Sequence, residues 1–169
     1  NNRTIGFASV FDHHGAYVLG GCSPLSNMEN YAEKLCDHIK GIVAEAIQVQ
    51  GVEPNSTIRL IFHLFKDASR YYEIKAILET IECFADYKIE YSLIHISYHH
   101  PYRLYQGEGK DIVKRGTFIE ISDNWALLNM GVQRSTPLLI KIDPRSTYSD
   151  LYDLSKQILH FAHLSHKSF

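Results

Sequence analysis

The segment Thr57 to Phe65, TIRLIFHLF, constrains the fold more than any other stretch of the chain. Its residues are mostly β-branched, aromatic or leucine, a composition that favours extended backbone. Apolar side chains fill nearly every position rather than every second one, so both faces of the strand need cover. Helical patterns stand on either side. From about Glu29 to Gln50, Tyr31, Leu35, Ile39, Ile42, Val43, Ala46 and Ile47 recur at the spacing of one buried face, with Ser26 or Asn27 to cap the helix and Gly51 to end it. From about Ser69 to Cys83, Tyr72, Ile74, Ile77, Leu78 and Ile81 repeat the pattern. A central strand between two such helices predicts an α/β chain.

The remaining segments extend that reading. Thr4 to Phe11 and Ala16 to Gly21 form a predicted hairpin around Asp12-His13-His14-Gly15. Tyr87 to Ile96 alternates and then turns wholly apolar, as a strand entering the interior does. Gly116–Ser122, Ala126–Gly131 and Pro137–Ile142 are three further strands, and Thr147 to His163 is a closing helix with Ser146 or Thr147 near its start. The order ββ-α-β-α-β-βββ-α implies a mixed β-sheet with helices on both faces. At 169 residues the chain is sized for one domain. It opens Asn1-Asn2-Arg3 without a methionine, which reads as a piece of a longer protein.

Several function classes are excluded or narrowed by composition. No apolar run approaches the length of a membrane span, so no membrane partner is expected. Cys22, Cys36 and Cys83 are odd in number and widely spaced, fitting neither a disulfide framework nor a CxxC zinc site; a reducing, cytoplasmic location is the simplest reading. With 17 Lys+Arg against 19 Asp+Glu the net charge is −2, so contact with nucleic acid would have to use a local patch. His160, His163 and His166 repeat every three residues, but no carboxylate partner stands at helical spacing among them, and helix-end histidines facing the C-terminal dipole are the plainer account.

Three polar clusters could carry such a patch: His99-His100-Pro101-Tyr102-Arg103, then Lys110 with Lys114-Arg115, then Gln133-Arg134-Ser135-Thr136. Arginine forks and hydroxyls on loops at one sheet edge can follow a phosphate backbone. The same residues also make an ordinary set of solvated loops. Acidic residues are sparser. Asp67 follows a buried strand and Glu33 lies near the start of the long helix, but two carboxylates without a bridging third make a poor site for paired divalent ions.

Taken in order, these motifs resemble the PIWI domain of the Argonaute family, an RNase H-like fold, over nearly the whole chain. Arg59-Leu60-Ile61-Phe62-His63-Leu64-Phe65-Lys66-Asp67 resembles the strand that ends in a basic residue and a catalytic aspartate. Ile96-Ser97-Tyr98-His99-His100-Pro101-Tyr102-Arg103-Leu104-Tyr105 resembles the basic cluster followed by Arg-Leu-aromatic. Gly131-Val132-Gln133-Arg134-Ser135-Thr136-Pro137 resembles the Gly-x-Gln segment that leads into Thr/Arg-Pro. Pro101 and Tyr98 stand where more polar residues are common.

The resemblance implies roles for individual residues. Active members use an Asp-Glu-Asp-(Asp/His/Asn) tetrad; Asp67 matches its third position, Glu33 its glutamate, and Ala8 its first aspartate, with the fourth position expected beyond Phe169. Asp12 is no substitute, since four residues along a strand span about 13 Å. The expected catalytic set is therefore empty, with Mg²⁺ or Mn²⁺ at Asp67 and Glu33 the only metal reading left. Lys66, His100, Arg103, Gln133, Arg134 and Thr136 are implied to contact nucleic acid. The implied function is guide-directed binding of a guide RNA or DNA with its complementary target, without cutting. This is the behaviour of inactive, often short, prokaryotic Argonautes in defence against foreign DNA, where an associated effector protein takes the later step. The rival reading is an active metal-dependent, guide-directed endonuclease.

Overall fold

The computed structural model describes residues 3–4, 7–12, 16–22, 26–64, 72–105, 113–131 and 136–164. The chain packs as two units, one made of Asn1–Arg59 with Ala68–Ile89 and the other of Leu60–Asp67 with Glu90–Phe169.

The first unit opens with β1 (Arg3–Thr4), β2 (Phe7–Phe11), β3 (Tyr17–Cys22) and β4 (Ser26–Asn27). β2 and β3 form the predicted hairpin, pairing Ala8 with Gly21 and shifting register between Val10 and Phe11. Asp12 closes the turn: its amide donates to the Ala16 carbonyl at 2.9 Å and its Oδ1 accepts from the Ala16 amide at 2.9 Å. Ser26 and Asn27, expected to cap the long helix, instead pair with Thr4 and Arg3. The chain then makes a 3₁₀ turn at Met28–Asn30 before α1 (Tyr31–Gln50). Gly51 ends α1 as expected, at φ 61°, a left-handed conformation that glycine adopts without cost.

α1 packs against α2 (Glu73–Glu82) through buried Cys36, Ile42 and Val43 on one helix and Ile74, Ala76, Ile77 and Thr80 on the other. Thr80 spends its hydroxyl on the Ala76 carbonyl at 2.8 Å, which lets a polar side chain sit fully buried between the helices.

The second unit holds all but the first residues of β5 and β6 in a five-stranded sheet of order β5-β6-β9-β8-β7, made of β5 (Thr57–Leu64), β6 (Lys88–Ser97), β7 (Phe118–Ser122), β8 (Trp125–Leu128) and β9 (Leu138–Ile142). β5 and β6 begin side by side, with the Lys88 amide donating to the Ser56 carbonyl at 3.0 Å, whereas the β6–β9, β9–β8 and β8–β7 pairings are antiparallel. The sheet is mixed, as predicted. Two details differ from the expected single sheet. The opening hairpin is a sheet of its own, and β5 stands at the end of the five-strand order rather than in its middle. Continuous apolarity is shared by β5 and β6, but only β6 carries fully buried Leu93 and Ile94.

Side chains alternate across the sheet. One face carries Ile94, Ile96, Ala126, Leu128, Leu138, Ile140 and Ile142 against Leu151, Leu154 and Ile158 of α3 (Leu151–Leu164). The other face carries Leu127 and Leu139 beneath Leu104 and Val113. Ser146 and Thr147 do not cap α3. Their hydroxyl oxygens accept the amides of Leu93 and Tyr91 at 3.0 and 2.8 Å, fastening the helix approach to β6. Asp150 is the cap, with its Oδ1 accepting the Asp153 amide at 2.9 Å.

Candidate nucleic-acid interface

The antiparallel register of β6 and β9 decides which loops meet. Ser97, the last residue of β6, lies opposite Leu139 near the start of β9, so the segment leaving β6 and the segment entering β9 share one end of the sheet. The exit from β6 is tightly wound: the His99 amide donates to Ser97 Oγ at 2.9 Å and the His100 amide to the Tyr98 carbonyl at 3.1 Å. That turn brings His100 Nε2 to 2.9 Å from the Pro137 carbonyl. A carbonyl only accepts, so Nε2 carries the hydrogen of this bond. Nδ1 is buried and has no hydrogen-bond partner among the described residues.

Arg103 follows on the same segment. Its Nη1 donates to the Tyr102 carbonyl at 2.8 Å and to the His100 carbonyl at 3.3 Å, while the next residue, Leu104, is buried with Val113, Leu127 and Leu139. The residue is thus exposed at the surface, with its guanidinium held through Nη1. Thr136 is half-buried directly before Pro137. Of the six residues expected to contact nucleic acid, the structure gathers His100, Arg103 and Thr136 at one end of the sheet; Lys66, Gln133 and Arg134 lie outside the described residues.

Of the tetrad-matching positions, two lie among the described residues. Ala8 is in β2, paired with Gly21, and Glu33 is exposed in the first turn of α1. Asp67 lies outside the described residues, as do His13, His14 and His166. Asp12 is committed to its turn. Among the described residues no group of three or more His, Cys, Asp or Glu could hold a metal ion.

Two features were not visible in the sequence. His63 on β5 sits edge-to-face with Phe161 at 5.9 Å between centroids, and burial lowers its pKa from 6.5 to about 4. Lys141 places its ammonium 3.9 Å over the ring of Trp125, its cross-strand neighbour. The β-period could have suggested the second pair once the β8–β9 register was known; the first needs the packing of α3.

No protein-family model matches the chain. In sequence it is similar to the Argonaute protein of Cereibacter sphaeroides (strain ATCC 17025 / ATH 2.4.3), at 27% identity over 98% of this chain and 24% of that protein. In fold it is similar to the structure of the Aquifex aeolicus Argonaute, with a TM-score of 0.73 at 16% identity over 99% of this chain and 23% of that one. It is also similar to a crystal structure of Aa-Ago with externally bound siRNA, with a TM-score of 0.59 at 16% identity over 95% of this chain and 24% of that one. The resemblance read from the three motifs therefore holds in sequence and in fold. The chain spans about a quarter of the length of each. Among the described residues no helix is long and apolar enough to cross a membrane.

Proposed function

We propose that the two units together form one PIWI-like domain of a longer chain, which binds a guide strand and its complementary target through their backbones and does not cut. The observation that carries this reading is the His100–Pro137 hydrogen bond. It joins the Arg-Leu-aromatic segment to Pro137, the residue after Thr136, and so supports a reading in which His100, Arg103 and Thr136 serve one interface. Donors of this kind, a guanidinium with free N–H groups and a hydroxyl, suit phosphate oxygens. That one Argonaute structure of the same fold holds an externally bound siRNA supports the choice of ligand. Ala8, at the position where active members carry an aspartate, supports the non-cutting half, because a methyl group can neither bridge two divalent ions nor neutralise them. The reading includes an effector protein for the later step, a cytoplasmic setting and a role in prokaryotic defence against foreign DNA.

The test uses the full-length protein with short RNA and DNA guides and matched targets, in Mg²⁺ and in Mn²⁺. Retention of the guide–target duplex with the target intact is the expected result. Robust target cleavage overturns the non-cutting half and favours the endonuclease. Failure to retain any guide overturns the binding half and favours a module that docks only protein.

A further inference from the structure

β7 stands last in the strand order, so β8 pairs with one side of it and, among the described residues, no strand pairs with the other. The ladder fixes which groups that open edge presents. The Thr117 carbonyl accepts the Asn129 amide at 2.9 Å and therefore points toward β8. Backbone groups alternate in direction along a strand, so Ile119 also faces β8 while Phe118 and Glu120 turn their N–H and C=O outward. Edges left open in this way are commonly blunted by lysine, proline or an irregular backbone. Here the strand reads Phe-Ile-Glu-Ile-Ser, with neither lysine nor proline, and its register shift, between Glu120 and Ser122, falls toward the hairpin turn.

The side chains beside that edge are apolar and open. Ile119 and Ile121 are each 41% exposed, and Trp125 is 37% exposed. Ile119 lies opposite Leu127 and Leu127 opposite Leu139, so the three share the sheet face that Leu104 and Val113 cover. Trp125, two residues before Leu127, is on the same face, with the Lys141 ammonium over its ring. The apolar face thus continues past its cover as far as β7. Charge on this hairpin has one sign: from Phe118 to Leu128 the ionisable side chains are Glu120 and Asp123, both exposed.

We propose that β7 is a docking edge for an extended segment of a partner protein in which β-branched apolar and basic side chains alternate. The added strand exchanges backbone hydrogen bonds with Phe118 and Glu120. It sets its apolar side chains beside Ile119 and Ile121 and a basic one opposite Glu120. A second copy of the chain fits less well, because β7 paired with itself brings no cation to Glu120 in any register. Docking of this kind goes beyond guide binding and does not rest on it.

The full-length protein is titrated with two labelled peptides, acetyl-Thr-Val-Lys-Val-Lys-Val-Thr-amide and its counterpart with glutamate for both lysines. Hydrogen exchange across residues 117–122 reports on the edge itself. The lysine peptide is expected to bind about tenfold more tightly than the glutamate peptide and to slow that exchange. Ile119→Lys should weaken it about tenfold, and Glu120→Gln should bring the two peptides close together. Glu120→Pro removes an amide that faces away from β8, so it should lose the peptide with little change in urea midpoint. No binding of the lysine peptide, equal affinity for both peptides in the parent, unchanged affinity in Ile119→Lys or an undiminished lysine preference in Glu120→Gln overturns the proposal. If Glu120→Pro lowers the midpoint, Ile119→Lys and Glu120→Gln decide by the same criteria. Slow exchange across residues 117–122 before any peptide is added means that the edge is already covered, and this also overturns it. Sedimentation of the parent against Ile119→Lys then tells a second copy from the rest of the chain as the cover.

Discussion

His100 Nε2 lies 2.9 Å from the Pro137 carbonyl oxygen, and this one hydrogen bond joins segments 37 positions apart. It gives His100 a role different from direct contact with a phosphate: the ring holds two loops in register. His100→Ala leaves the Pro137 carbonyl, at a buried residue, without its partner, at a cost of about 1–3 kcal/mol. Guide affinity should fall while its salt dependence stays unchanged, because no phosphate contact is removed. His100→Gln, which keeps an N–H donor, should recover part of the loss. Titration of guide binding at several salt concentrations checks this; a lower salt slope in His100→Ala would show that the ring itself meets the backbone.

Arg103 should behave in the opposite way. Its Nη1 is occupied by two backbone carbonyls, which leaves the other edge of the guanidinium for a ligand. Arg103→Ala should weaken binding evenly across guide sequences and lower the salt slope by about one unit. Arg103→Lys should keep the slope but lose affinity, since an ammonium cannot hold the carbonyls and present a fork at once. A slope identical to the parent's in Arg103→Ala would remove Arg103 from the interface.

Sequence periodicity recovered all the longer elements, because a strand or helix of five or more residues shows its buried face as a repeat. The two-residue ladder between Arg3–Thr4 and Ser26–Asn27 has no period to read, so Ser26 and Asn27 looked like helix caps. Ser146 and Thr147 misled for a related reason. A hydroxyl before a helix suits a cap, yet here the nearest unpaired amides belong to β6. At the candidate interface, Arg103 and Thr136 could be picked out by motif. The part played by His100 could not, because it depends on the Ser97–Leu139 register across two strands.

His63 makes stability depend on pH in a definite direction. Its folded pKa of about 4 lies below the ordinary 6.5, so the unfolded chain takes up a proton at a pH where the folded chain does not. The contribution of the neutral ring is therefore complete above pH 6.5 and is lost as pH falls toward 4. The loss over that window is about 3 kcal/mol. Urea midpoints measured from pH 7.5 to pH 4 should show it, and His63→Phe, which keeps an aromatic ring against Phe161 but cannot titrate, should flatten that part of the profile. An unchanged profile in the variant would assign the acid sensitivity to other groups.

Asn129 is the polar pin beneath the second sheet face. It is 1% exposed, and its Nδ2 donates to the carbonyls of Val113 and Lys114 at 2.7 and 3.0 Å. Val113 packs with Leu104, Leu127 and Leu139, and Leu104 directly follows Arg103 in the chain. Asn129→Leu keeps the volume but strands the Val113 carbonyl, while the Lys114 carbonyl keeps its bonds from the Thr117 hydroxyl and amide at 2.7 and 3.1 Å, for an expected loss of about 1–3 kcal/mol. Asn129→Asp should cost more, since a carboxylate would face two carbonyl oxygens with no hydrogen to share and would be desolvated as well. The order of stability in denaturant should be the parent, then Asn129→Leu, then Asn129→Asp. Guide affinity should fall in the same order as the cluster that anchors Leu104, next to Arg103 in the chain, loosens. An Asn129→Asp protein as stable as the parent would mean that the Val113 carbonyl is held by something other than the Asn129 amide.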